Sequence, residues 1–213
     1  MKHPTQLILL LFVCLLGLIT GACTSTQVEE SWRLPDYRPP AAEQTRVLVL
    51  AMTRRPDVRK MVELEFVQQL EHQGISAMAS HRVVPGNDPI SRDRLRPIVE
   101  QNGITSVLIS SLRGIDKVAT YQPPMALGPR DNLSRNMDTY MVYSSSGQHE
   151  PGTYVDINEY LLETNLFRVP DNHLVWTVRT RTRELSDREH GVKSVVSTVL
   201  EQAQADRVLP SPR

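Results

Sequence analysis

An apolar run followed by an amphipathic helix constrains the fold of this chain more than any other stretch of it. The run Arg46–Met52 is rich in Val and Leu and is bounded by polar residues, which is typical of a buried strand. A helix is predicted to begin at Pro56 and to end at Gly74 in a left-handed cap. Its apolar side chains recur every four residues, at Val58, Val62, Phe66 and Leu70. A weaker strand over Ile75–Val84 follows, so this stretch predicts a β-α-β unit.

The rest of the pattern adds helices and strands to this unit. A second helix is predicted from Ser91 to Gln101 and a third strand over Ile104–Leu112. Two strands, Tyr154–Val169 and His173–Glu184, are joined by a turn and followed by an amphipathic C-terminal helix. We therefore predict an α/β (α+β) domain over residues 45–209, a mixed sheet of about five strands covered by about three helices. The predicted order is strand-helix-strand-helix-strand, then a long β-hairpin, then a helix.

Side-chain alternation along the hairpin predicts which of its residues face the core. The inward residues are predicted to be Val155, Ile157, Leu161 and Phe167 on the first strand, and Leu174, Trp176 and Val178 on the second. The outward residues of the second strand are Arg179, Arg181 and Arg183, which Asp156 and Asn158 are expected to oppose. Glu163 shares the period of the inward set. Its carboxylate is predicted to be buried and hydrogen-bonded to another element, unless a β-bulge turns it outward.

The N-terminal residues 1–22 have the three parts of a secretory signal. Lys2 supplies a positive charge, Leu7–Ile19 is an apolar run, and the small residues Gly21 and Ala22 follow. The apolar run is shorter than the roughly 20 residues that a permanent membrane-spanning helix needs. These features predict export of the chain and removal of the segment.

The ending Gly21-Ala22-Cys23 resembles the lipobox of bacterial lipoproteins, in which cleavage precedes a cysteine that carries lipid. The resemblance implies lipidation, including palmitate, at Cys23, and attachment to the membrane through several acyl chains. Residues 23–44, which include Pro35 and Pro39, are interpreted as a tether, with Ser31-Trp32 expected to dock on the domain. Thr24, where an Asp marks inner-membrane retention in Gram-negative sorting, implies an outer-membrane protein that faces the periplasm.

Composition excludes several classes of function. The formal net charge is zero, and without a basic excess the chain is not expected to bind nucleic acid. The two cysteines are Cys14 in the signal and Cys23, so the domain itself contains neither a disulfide nor a cysteine-ligated metal. The histidines show no metal-binding spacing, and the motifs of nucleophilic serines and of phosphate-binding loops are missing. We therefore expect no cofactor, no metal site and no catalytic residue.

Two parts of the chain are functional candidates. Arg59 and Glu63 lie four residues apart on the first helix and are interpreted as a surface ion pair. Residues 113–153, rich in Pro and Gly, are predicted to form a long loop, and such loops are either functional or disordered. The tyrosines of this region that are candidate partner-binding residues are Tyr121, Tyr140 and Tyr143. The alternative is that they fold back onto the sheet.

Several short motifs resemble a family of uncharacterised bacterial envelope lipoproteins with a small α/β domain. These are the start Ser31-Trp32-Arg33-Leu34-Pro35, the segment Glu163-Thr-Asn-Leu-Phe167, and Leu174-Val-Trp-Thr177. The resemblance brings no known activity. It implies a lipid-anchored binding or assembly module whose partner is another envelope protein or a cell-wall component. The alternatives are a cell-wall hydrolase or other envelope enzyme, and a carrier of a small apolar ligand.

Overall fold

The computed structural model describes residues 26–84, 91–122, 153–169, 171–183 and 187–210. They form a six-stranded mixed sheet with three α-helices, which confirms the predicted fold class. The elements in chain order are β1 (Thr26–Arg33), β2 (Arg46–Met52), α1 (Pro56–His72), β3 (Ser76–Ala79), α2 (Arg92–Gln101), β4 (Ser106–Gln122), β5 (Thr153–Arg168), β6 (His173–Arg183) and α3 (Arg188–Ala205). Gly74 ends α1 with a φ of +77°, as the sequence predicted.

The sheet order is β1-β6-β5-β4-β2-β3. Strand β2 lies parallel to both β3 and β4, and the chain passes through α1 between β2 and β3 and through α2 between β3 and β4. Strands β4, β5, β6 and β1 are successively antiparallel. Parallel neighbours need crossover connections, which α1 and α2 supply here, and the antiparallel half of the sheet combines the late strands β4, β5 and β6 with the first strand, β1. None of the helices in the described ranges is long and apolar enough to cross a bilayer.

Helices cover both faces of the sheet, but unequally. Helices α1 and α3 pack on one face, where Phe66 and Leu70 meet Val196, Val199 and buried sheet residues. Helix α2 packs on the opposite face, over β2 and the start of β4. Because α2 is short, it leaves the outer face of β1, β6 and β5 uncovered by the described residues.

The segment Thr26–Arg33, which we interpreted as tether, forms the edge strand β1 beside β6. The Thr26 hydroxyl is buried, 2.9 Å from the hydroxyls of both Thr182 and Ser194. Trp32 therefore lies on the domain as part of this strand, with 44% of its surface exposed. An edge strand with mostly exposed side chains shows little apolar alternation, which is why the sequence pattern does not distinguish it from a tether.

The predicted inward face of β5 is wrong. The core beneath α1 and α3 contains Leu162 and Leu166, together with Trp176 and Val178 of β6, whereas Leu161 lies on the opposite face. Phe167 packs beneath α2 instead. A sheet with helices on both faces carries apolar residues at both alternating positions of a strand. In addition, a register shift between Leu166 and Phe167 leaves Val175 of β6 as an extra residue and changes the pairing of the two strands.

Candidate functional site

Strands β4 and β5 continue beyond the end of β6 as a two-stranded arm. The ladder between β5 and β6 ends at Glu159, opposite Arg183. Strands β4 and β5 go on pairing for six more residue pairs, from Lys117 with Asn158 to Gln122 with Thr153. We call residues 117–122 and 153–158 the arm. Part of the predicted loop is thus strand, and residues 123–152 lie outside the described residues.

Tyr121, a predicted partner-binding residue, lies near the tip of the arm. It pairs across the strands with Tyr154, and the ring centroids are 5.4 Å apart with the planes tilted by 57°. Such a tilted arrangement is favourable for aromatic rings. Tyr121 is 51% exposed and Tyr154 71% exposed, so neither folds back onto the sheet. Tyr140 and Tyr143 lie outside the described residues.

Exposed apolar residues continue from this tyrosine pair toward the domain. Leu112 and Ile115 are large, apolar and about half exposed. The register pairs Leu112 with Leu162 and Ile115 with Tyr160, which places both on the same side of the sheet as the tyrosine pair. Arg113 is the extra residue of a bulge between them and turns to the opposite side, toward Glu163. The side of the sheet that carries the tyrosine pair therefore carries Leu112 and Ile115 near the domain and, within the arm, Lys117, Asp156 and Asn158 beside the tyrosines.

The opposite side of the sheet carries a lattice of charge pairs, which we call the charged face. Arg181 is its centre: Nε lies 2.6 Å from Glu29 Oε1, and Nη1 lies 3.0 Å from Asp116 Oδ2 and 3.1 Å from Glu159 Oε2. These carboxylates raise the pKa of Arg181, Glu29 first, so the guanidinium stays charged. The pairs join four strands, β1, β6, β5 and β4. The predicted partners Asp156 and Asn158 lie instead on the side of the arm that carries Tyr121 and Tyr154.

Glu163 belongs to this charged face and not to the core. It lies directly opposite Arg179, with Oε2 3.4 Å from Arg179 Nε and 3.9 Å from Arg113 Nε. Its side chain is 16% exposed. The hydrogen bond from the Asn165 amide, together with Arg113 and Arg179, lowers the pKa of Glu163. Our prediction that Glu163 lies among the inward residues is wrong, because the whole alternating set faces the other way.

Glu163→Gln is expected to reduce the free energy of unfolding by less than about 1 kcal/mol, since both arginine partners are largely exposed and screened by solvent. The measurement is the midpoint of chemical denaturation. Asn165→Ala, which removes the hydrogen-bond donor and leaves both ion pairs, is the matched control. A loss of several kcal/mol in Glu163→Gln would show that this carboxylate is buried after all.

A concavity lies on the charged face beside Glu163. Its volume is about 330 Å³, and its lining includes Glu29, Arg113, Leu161, Glu163 and Arg179. The space between the sheet and helices α1 and α3 is filled by side chains such as Leu166, Trp176 and Leu200, and holds no room for a ligand. A ligand pocket of the apolar-carrier kind is therefore not found where these described elements meet.

Glu63 is the centre of a buried polar network at the carboxyl ends of β2 and β3. Its Oε1 accepts hydrogen bonds from Ser80 Oγ at 2.6 Å, Arg59 Nε at 3.1 Å and the Ala51 amide at 3.1 Å. Its Oε2 accepts from the His81 amide at 2.7 Å and lies 2.8 Å from His81 Nδ1. Both Arg59 and Glu63 are buried, so our interpretation of them as a surface pair is wrong.

This network explains the protonation state of Glu63. Burial raises the pKa of the carboxyl group, but the hydrogen bonds from Ser80, Ala51 and His81 outweigh it and hold the pKa below its ordinary value. The spacing of Arg59 and Glu63 was the signal available in the sequence. Ser80 and His81 follow directly after the weakest strand, and nothing in the sequence connects them with α1.

The chemistry open to this network is limited. The carboxylate of Glu63 holds the His81 ring through a contact with Nδ1. The second ring nitrogen, Nε2, belongs to a side chain that is partly exposed. Ser80 is buried, and its hydroxyl bonds to Glu63. A serine nucleophile needs its hydroxyl directed at the histidine and accessible to substrate. Within the described ranges, no group of three His, Cys, Asp or Glu side chains is placed to hold a metal ion.

No protein-family model and no curated protein matches this chain. Three similar solved structures are a PelC dodecamer from Paraburkholderia phytofirmans, the lipoprotein GNA1162 from Neisseria meningitidis and a minor lipoprotein from Acinetobacter baumannii. PelC is 13% identical, with a TM-score of 0.45 over 87% of this chain and 99% of that one. GNA1162 is 11% identical, with a TM-score of 0.41 over 76% and 99%. The Acinetobacter protein is 8% identical, with a TM-score of 0.33 over 79% and 98%.

Proposed function

We propose that this protein is an envelope lipoprotein, anchored through Cys23, whose domain is a non-catalytic binding or assembly module. The anchor is supported by the signal-like segment 1–22 and by the Gly-Ala-Cys ending. Thr24 supports an outer-membrane position facing the periplasm. The partner is another envelope protein, and a cell-wall component is the alternative.

The observation that carries the binding role is the charged face. It presents four arginines and five carboxylates on four adjacent strands, and the described helices leave it uncovered: Arg113, Arg179, Arg181, Arg183, Glu29, Glu30, Asp116, Glu159 and Glu163. Residues held on strands form a more rigid contact surface than residues on loops. Mixed charges at fixed positions discriminate between partners by complementarity. Tyr121, with Tyr140 and Tyr143, remains a candidate contact residue outside this face.

The charged face favours a polypeptide partner over a small apolar ligand. Its concavity is lined by Glu29, Arg113 and Glu163 as well as by leucine, and it opens on a flat strand surface. An apolar carrier would instead need an enclosed pocket with few polar groups. The buried polar groups near Glu63 are hydrogen-bonded to one another, which supports a structural role for them.

Cys23→Ala tests the anchor. The variant is expected to leave the membrane fraction, or to accumulate with its signal attached, because no lipid can be added to alanine. Fractionation of cells and incorporation of labelled palmitate measure this. If Cys23→Ala fractionates like the wild type and the wild type never takes up palmitate, the anchor proposal is wrong.

Arg179→Glu tests the binding role. It places a third carboxylate beside Glu30 and Glu163 and should abolish capture of the partner in crosslinked intact cells. Lys193→Glu on α3 is the matched control, since Lys193 is similarly exposed but α3 packs on the opposite face of the sheet. Melting curves of both variants verify folding. Equal capture by both variants would remove the charged face from the binding site.

A further inference from the structure

The start of β1 and the arm lie at the same end of the sheet. Thr26, the first residue of β1, pairs with Thr182, one residue before the end of β6. The last β6 residue, Arg183, pairs with Glu159, directly before the arm begins. Strand β1 runs away from this end, so its first residue, Thr26, lies at the end of the sheet from which the arm projects.

The distances at this end are fixed by the chain itself. Cys23 lies three residues before Thr26, and three residues span at most about 11 Å even when fully extended. The arm extends six residue pairs past the end of β6. At a rise of about 3.3 Å per residue this is about 20 Å. The arm is therefore longer than the connection between the sheet and Cys23.

The side of the arm that carries Tyr121 and Tyr154 combines aromatic and charged residues, as elements at the membrane interface do. Tyr121 and Tyr154 near its tip are exposed, and each has an apolar ring and a polar hydroxyl. Tyrosine is enriched at the level of lipid headgroups for this reason. Lys117 and Asp156 share this side of the arm, and Ile115 and Leu112 lie on it closer to the domain, so aromatic, charged and apolar side chains follow one another along it.

We propose that the arm lies against the membrane that holds the lipid on Cys23, with Tyr121 and Tyr154 at the headgroup level. This inference rests on the proposed anchor. The connection between Cys23 and β1 is shorter than the arm. If the arm pointed straight at the bilayer, the connection could not reach from the lipid to the sheet, so the arm must tilt against the membrane surface or enter the interface. The charged face, on the other side of the same strands, is then turned toward the aqueous compartment and its partner.

Depth-dependent quenching of a fluorescent label tests this orientation. The mature lipidated protein has no free thiol, because Cys14 is removed with the signal and Cys23 carries lipid. Single variants Tyr154→Cys, Ile115→Cys and His173→Cys are labelled with NBD and reconstituted into vesicles of phosphatidylethanolamine and phosphatidylglycerol. A fraction of the lipid carries a doxyl quencher near the headgroup. His173 is the matched control, an exposed residue at the opposite end of the sheet.

We expect the label at position 154 to lose most of its emission, the label at 115 to lose less, and the label at 173 to lose almost none. Equal emission at 154 and 173, in protein whose lipid is confirmed by mass spectrometry, would overturn the orientation and leave the anchor standing. In that case the tyrosine pair is open to a protein partner. Protein that carries no lipid would refute the anchor, and the orientation with it. Denaturation midpoints of the labelled variants confirm that each is folded.

Discussion

Glu63→Gln is expected to lower the free energy of unfolding by about 3–5 kcal/mol, the range for removing one member of a buried ion pair. The substitution removes the charge that compensates the buried guanidinium of Arg59. It also weakens the acceptor for the backbone amides of Ala51 and His81. Urea denaturation at neutral pH measures the loss.

Glu71→Gln is the matched control for this substitution, because Glu71 is exposed near the end of the same helix. It should change stability by less than about 0.5 kcal/mol. If both variants lose the same stability, the network does not support the fold.

The contribution of Glu63 is expected to vanish in acid. The folded-state pKa of Glu63 lies below its ordinary value of 4.5, so the folded protein holds the carboxylate ionised where the unfolded chain binds a proton. The stabilisation is therefore fully present above about pH 4.5 and is lost as the pH falls through the folded-state pKa. The difference in stability between wild type and Glu63→Gln should shrink over that window. A difference that grows as the pH falls would contradict the depressed pKa.

Trp176→Ala is expected to cost about 3–5 kcal/mol, the range for truncating a large aromatic residue in a core. Trp176 is fully buried between the sheet and α3, and its indole Nε1 donates to Asp206 Oδ2 at 2.8 Å. Trp176→Phe should retain most of the packing and lose this hydrogen bond, at about 1–3 kcal/mol.

The chain offers its other tryptophan as the matched control. Trp32 is 44% exposed on the edge strand, so Trp32→Ala should cost less than about 1 kcal/mol. Thermal melting of the three variants compares them directly. A similar loss for Trp32→Ala and Trp176→Ala would show that β1 packs more tightly than its exposure indicates.

Most of the fold could be predicted from local patterns. Arg46–Met52 is an uninterrupted apolar run, and the stripe of α1 repeats every four residues, so each element is encoded within its own segment. The faces of β5 could not be predicted in this way. Apolar residues that alternate along one strand do not say which side the helices occupy, and here Leu166 and Phe167 pack beneath different helices.

The candidate site was less predictable because its contacts join distant segments. Arg181 of β6 meets Glu29 of β1 and Asp116 of β4, and no local period connects these three residues. Glu63 likewise depends on Ser80 and His81, which reach it only through the crossover geometry. For Tyr121 the sequence left both exposure and packing onto the sheet open, and its pairing with Tyr154 required the register of β4 and β5. Cys23, Tyr140 and Tyr143 remain predictions.

The position of β1 has a consequence for the order in which the chain folds. The hydroxyl pair between Thr26 and Thr182 closes a separation of 156 residues, and the contact with Ser194 closes one of 168. Contacts this distant form late, because the entropy of closing the intervening loop is lost before the contact stabilises anything. Strand β1 is the first of the described strands to be synthesised, and it has no partner in the sheet until β6 has been made. Its contact with Ser194 needs α3 as well. A chain built in this way completes the edge of its sheet only when synthesis is nearly complete.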